Sequence, residues 1–305
     1  MLEPAKLPPT NRMNVSARSK ARIRDYIAGS VRLVRMTNLV IVALTQYLTR
    51  ILLIGPKENW KQIITDYDMF FLSLSTVFIA AAGYIINDYF DIKIDIVNKP
   101  ERVVVGRYLK RRWAMGAHQV FNVLGAALGM VVSPWIFLVN VFSITLLWFY
   151  SERFKRLPFI GNFIVSLLTG LSLLILTVHY PANRHLVLIY AIFSFFISLI
   201  REVVKDMEDI RGDAAHGCRT LPIIWGIRRT KTFLYIVVGF FVVVLFSMAS
   251  ALENRLLLIL FFMLLLPLGW LTFRLTKADT KKDFRKISSI SKIIMLLGLM
   301  TMLVA

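Results

Sequence analysis

Apolar stretches close to twenty residues long recur along most of this chain, broken by short polar segments. They predict nine membrane-spanning helices at about 36–54, 69–90, 113–132, 134–150, 159–180, 185–203, 231–251, 254–275 and 287–305. Only Ser133-Pro134 separates the third from the fourth. With 57% hydrophobic residues in 305, this is one all-α integral membrane bundle rather than a soluble domain. Residues 31–305 form the polytopic domain. Residues 1–30 are a basic tail that runs into an interfacial helix near 16–35, drawn to anionic lipid. That segment lacks the apolar core of a cleavable secretory signal.

The charge of +19 changes the picture less than its size suggests. With the N-terminus in the cytoplasm, the only Lys or Arg residues outside are Arg50, Lys57, Lys61, Arg184 and Arg255, out of 37. This is the positive-inside asymmetry of a multi-pass protein of the cell (inner) membrane, and it removes the case for nucleic acid as a partner. Cys218 stands alone, and His118, His179, His185 and His216 are dispersed, so neither a disulfide framework nor a zinc site is indicated.

The chemistry lies in the acids. Nine of the 18 carboxylates fall in two clusters at the cytoplasmic ends of the second and sixth spans. In the first, Asn87, Asp91 and Asp95 recur at i, i+4 and i+8; in the second, Asp206, Asp209 and Asp213 recur at i, i+3 and i+7, with Glu202 one turn earlier. Each set occupies one helical face. The bland reading, acidic helix ends facing water, fits Asp88, Glu101 and Glu208, which lie off the stripes. Two acidic stripes on the same side of a membrane instead suit Mg²⁺, which takes hard oxygen ligands and shares its shell with substrate phosphate. Lys99 and Arg102, in the loop after the first cluster, and Lys155 and Lys205 supply cations for a diphosphate. Arg107, Lys110, Arg111 and Arg112 suit lipid headgroups.

These residues together resemble the UbiA superfamily of intramembrane prenyltransferases. Asn87-Asp88-x-x-Asp91-x-x-x-Asp95 is similar to its first aspartate motif and Asp206-x-x-Asp209-x-x-x-Asp213 to its second. Asn98-Lys99-Pro100-x-Arg102, Tyr150-Ser151, Lys155 or Arg156, Gly161-Asn162, Thr220-Leu221-Pro222 and Gly226 fit the segments between, as do Arg35 and Asn38 at the first span. Val103, Lys99 and His216-Gly217-Cys218 depart from the usual pattern.

The resemblance implies nine helices around a central cavity under a cap of polar cytoplasmic loops. It implies Mg²⁺ held by Asn87, Asp91, Asp95, Asp206, Asp209 and Asp213, and an isoprenyl diphosphate as donor. Arg35, Asn38, Asn87, Arg102, Tyr150, Lys155 and Lys205 would then line the substrates. The segments around both motifs look most like members that prenylate geranylgeranylglyceryl phosphate. An aromatic acceptor of quinone biosynthesis is the alternative, and a divalent cation transporter the non-enzymatic one. The pattern of a CDP-alcohol phosphotransferase is absent.

Overall fold

A computed structural model describes residues 33–250 and 255–304. The expected basic tail therefore lies outside the described residues, as does nearly all of the interfacial helix. Among the described residues, nine helices are long and apolar enough to cross a membrane. They are α1 (Met36–Ile54), α2 (Tyr67–Asn98), α3 (Arg111–Val132), α4 (Pro134–Glu152), α5 (Ile160–His179), α6 (Arg184–Ala215), α7 (Leu221–Met248), α8 (Arg255–Thr276) and α9 (Lys281–Leu303).

Local chemistry sets the ends. Asp66 caps α2 by accepting from the Asp68 amide at 3.0 Å. Ser133 caps α4 by accepting from the Trp135 amide, and Pro134 occupies the first turn, where its missing N–H costs nothing. That pair separates α3 from α4. Thr280 and Asp283 form a reciprocal capping box that starts α9.

Besides the start of α9 at Lys281 instead of near 287, three boundaries differ from the hydropathy reading. α2 and α6 continue past the expected 90 and 203 to Asn98 and Ala215, so the acids belong to continuous helices rather than closing them. Hydropathy detects where a helix leaves lipid, not where its backbone stops. α7 begins at Leu221 instead of near 231 and kinks at Gly226, whose φ of 76° suits a residue without Cβ.

α2 packs on α3 and α4, while α6 packs on α5, α7 and α9, and the two motif helices meet between these groups. The core is largest around α6, where Tyr190, Phe193, Ile197, Ile200 and Val204 lie buried with Phe241, Phe284 and Ile294. Many of the buried polar groups find partners, as a water-free interior favours. Gln46 donates to Thr76 Oγ1 and the Ser172 carbonyl, and Asn140 to Ser75 Oγ and the Gly125 carbonyl. Large side chains such as Trp135, Val131, Phe262 and Leu266 are exposed, as lipid-facing positions should be.

Candidate active site between α2 and α6

The first stripe is neutralised from a distance. Asp91 is 6% exposed and pairs with the Lys155 ammonium, while Asn87 donates to the same carboxylate at 3.0 Å. Lys155 also donates to Asn87 Oδ1 at 3.3 Å. It projects from a single 3₁₀ turn, Phe154–Arg156, that follows α4. The Arg156 carbonyl accepts from the Arg219 amide at 2.8 Å, which ties this turn to the segment beyond the second motif. Burial opposes the charge on Lys155, yet Asp91, followed by Asp95 and Asp213, outweighs it and holds the ammonium above the usual lysine range. Asp88 is bound by Arg35 at 2.9 Å; burial opposes the Arg35 charge too, and Asp88 outweighs it, so the guanidinium sits above its usual value.

The second stripe is held differently. Asp206 accepts from Asn162, a neutral amide on α5, at 2.8 Å. Asp209 takes Lys99 at 2.6 Å through Oδ2, and its Oδ1 is buried without a hydrogen-bond partner among the described residues. Glu208 is 7% exposed and paired with Arg285 at 3.0 Å, with Lys99 at 3.9 Å. Glu202 takes Arg201 at 2.6 Å and Lys205 at 2.8 Å.

Asn98 fastens the two stripes to each other. Its carboxamide donates to the Asp209 carbonyl at 3.1 Å and accepts from the Gly212 amide at 2.9 Å, while Lys281 of α9 donates to its backbone carbonyl at 2.8 Å. A Cβ at 212 would collide with the Asn98 side chain, so glycine is what allows this approach. The Asp95 and Asp213 carboxylates lie at the junction, within electrostatic range of Asp91 and of both Lys155 and Lys99.

The donor set is wholly hard oxygen, from carboxylates and one carboxamide, and Asp209 Oδ1 has a lone-pair demand that a cation would meet. Among the described residues, no three acidic side chains draw close enough to make a metal cage alone. Mg²⁺ needs only one or two carboxylates beside water and phosphate, so the stripes fit it as shared rather than closed ligands.

Of the other residues expected from the sequence, Arg35 binds Asp88 and stacks over Tyr84 at 5.0 Å. Asn38 enters α1, and its amide donates to the Arg35 carbonyl. Tyr150 lies within electrostatic range of Glu202, Asp91 and Asp206. Lys205 turns to Glu202 rather than to an aspartate. The Arg102 side chain lies outside the described residues; its backbone forms the 3₁₀ turn Pro100–Arg102. The loop beyond it is anchored by Val104 and Val105, buried against Ile85 and Ala114. Asp88 and Glu208, for which solvent was one reading, are both paired. The bracing roles of Asn98, Asn162, Lys281 and Arg285 were not expected; an amide inside the apolar run Ile160–Leu174 was the one visible signal.

Comparison with known proteins bears on the family and the fold. Relatives named digeranylgeranylglyceryl phosphate synthase include one from Methanobrevibacter smithii, 34% identical over 53% of this chain. That match spans 59% of the relative's own length. One from Korarchaeum cryptofilum is 30% identical over 82% of this chain and 91% of its own. A solved structure of a digeranylgeranylglyceryl phosphate synthase superposes with a TM-score of 0.73 at 26% identity, covering 92% of this chain and 98% of that one. A UbiA homolog from Archaeoglobus fulgidus, solved with GPP and Mg²⁺, shares the fold with a TM-score of 0.66 at 16% identity, covering 90% and 99%. Residues 59–296 match the model of the UbiA prenyltransferase family, and the chain belongs to that family.

Proposed function

We propose that this protein transfers an isoprenyl group from an allylic isoprenyl diphosphate to a hydroxyl of a geranylgeranylglyceryl-phosphate-type lipid, releasing diphosphate within the membrane. The observation that carries this is the meeting of two carboxylate stripes at Asn98, with Lys155 and Lys99 at their junction. The names of the relatives above support the choice of acceptor.

Asn87, Asp91, Asp95, Asp206, Asp209 and Asp213 would hold Mg²⁺, which when bound would neutralise the diphosphate and favour its departure. Lys155 and Lys99 bind diphosphate oxygens as charged donors and stabilise the negative charge that grows on them. The allylic C–O bond breaks with its electron pair leaving on diphosphate. The acceptor oxygen then forms the new C–O bond and loses its proton. Apolar side chains of α5 and α6 exclude water, which would otherwise capture the allylic cation. Arg102 adds a further diphosphate contact, and Tyr150 faces the cation or acceptor. Arg35 and Asn38 line the site from α1. The N-terminus and both motifs face the cytoplasm, in keeping with the distribution of basic residues.

Purified protein in lipid, given geranylgeranyl diphosphate and Mg²⁺, should release diphosphate when geranylgeranylglyceryl phosphate is present. Release with 4-hydroxybenzoate, dihydroxynaphthoate or homogentisate instead would transfer the assignment to quinone biosynthesis. Mg²⁺ flux into liposomes with the diphosphate left intact would make the protein a transporter.

A further inference from the structure

α6 carries a second group of charges; its Lys205, expected from the sequence to serve the diphosphate, pairs with Glu202 and takes no part in the mechanism above. Arg201 and Lys205 lie one turn apart and share one carboxylate, Glu202, which is 6% exposed. Both Glu202 oxygens are occupied, Oε1 by Arg201 at 2.6 Å and Oε2 by Lys205 at 2.8 Å. Two cations against one carboxylate leave a spare positive charge at the cytoplasmic end of α6, where the Arg201 and Lys205 side chains are 25% and 29% exposed. The cations also keep free donors. Among the described residues, Arg201 Nε is buried with no hydrogen-bond partner, and the Lys205 ammonium spends one of its three N–H groups on Glu202.

The group adjoins the second motif, with Lys205 next to Asp206, and differs from it in its hydrogen-bond partners. Asp206 is satisfied by Asn162, so it does not require Lys205 as its hydrogen-bond donor. Arg201 lies five residues before Asp206, about 7.5 Å further along the helix, while Lys155 and Lys99 serve the stripes themselves. Tyr150 and Arg35 both lie within electrostatic range of Glu202, and Tyr150 also of Asp91 and Asp206, which places the group beside the motifs.

We propose that Arg201 and Lys205, spread by Glu202, form an anion site that holds the phosphate monoester of the acceptor lipid. This rests on the prenyl-transfer reading above and names the group that orients its acceptor. The Arg201 guanidinium offers a planar fork and Lys205 a point charge, the pairing that suits a phosphate dianion. Glu202 is the positioning residue: it holds the two cations at one place and lowers their joint charge, so that bulk anions are held weakly.

The test compares two acceptors, geranylgeranylglyceryl phosphate and its dephosphorylated alcohol, in nanodiscs of neutral lipid. The double variant Arg201→Gln/Glu202→Gln removes a cation together with its counter-charge and so leaves no orphaned carboxylate. It should raise KM for the phosphate acceptor about tenfold or more and leave KM for the alcohol and the Kd for geranylgeranyl diphosphate unchanged. Lys205→Gln should act in the same direction. Glu202→Gln alone frees both cations and should lower KM for the phosphate acceptor several-fold, the opposite of what a damaged fold gives. Equal losses with both acceptors, or a loss confined to donor Kd, would overturn the assignment. So would abolition of the phosphate preference by phosphatidylglycerol in the disc, which would give the site to bulk headgroups. A wild-type protein that binds no geranylgeranyl diphosphate would defeat the prenyl-transfer reading as well, whereas normal turnover with unmoved phosphate preference would defeat this inference alone.

Discussion

The two aspartate stripes look alike in one dimension and differ in how their charge is met. On α2, cations arrive from other parts of the chain: Lys155 on Asp91 and Arg35 on Asp88. On α6, Asp206 receives only a neutral amide, and Asp209 is half satisfied, with Lys99 on one oxygen and nothing on the other. A carboxylate with a cation already in contact can remain ionised in a buried site; one with an open oxygen invites a further cation. Asp91 on the α2 stripe is therefore already compensated, whereas Asp209 on the α6 stripe keeps an oxygen for added metal.

The largest effects should separate the stripes. Asp209→Ala should lower the rate of diphosphate release by about a thousandfold and Asp91→Ala by about a hundredfold, since Lys155 would stay behind to serve the diphosphate. Equal losses, or the reverse order, would break the contrast. Lys155→Met comes next. It leaves Asp91 buried without its ion-pair partner and should cut turnover by at least about tenfold, with partial recovery in Lys155→Arg. Because the Lys155 ammonium is held above the usual lysine value of 10.5, its stabilisation should be full below that value and disappear as pH rises through the raised one. The melting difference between wild type and Lys155→Met should accordingly hold constant across neutral pH and shrink only in strong alkali.

Smaller effects test the join between the stripes. Gly212→Ala forces Asn98 out of its place and should cost about 1–3 kcal/mol in chemical denaturation, along with weaker Mg²⁺ binding by calorimetry. A stable Gly212→Ala protein with normal Mg²⁺ affinity would show that the stripes need no such registry. Arg285→Ala should be the mildest, below about 1 kcal/mol, because the Arg285 side chain is 52% exposed and Lys99 remains near Glu208.

Nine spans and both stripes were legible in the sequence because each rests on a local regularity. An apolar run has the length of a bilayer, and carboxylates at i, i+4 and i+8 share a face whatever surrounds them. What was not legible is pairing across distance. Nothing in the order of residues says that Lys99 turns to Asp209 rather than to its near neighbour Asp95, or that Lys205 prefers Glu202. The extended ends of α2 and α6 were missed for a simpler reason: a charged run ends contact with lipid but is no obstacle to a helix. Asn98 was visible only as one residue in a loop-like stretch, yet it is the last residue of α2 and the point where the two stripes touch.

That contact limits how the protein can be recombined. α1 to α4 carry one set of aspartates and α5 to α9 the other, so a chimaera cut between them would keep a full pair of stripes, one from each parent. Its function would still turn on two positions, an asparagine at 98 in the first half and a glycine at 212 in the second. Inherited together they fix the distance between the halves; inherited apart they leave two sound half-sites that do not meet.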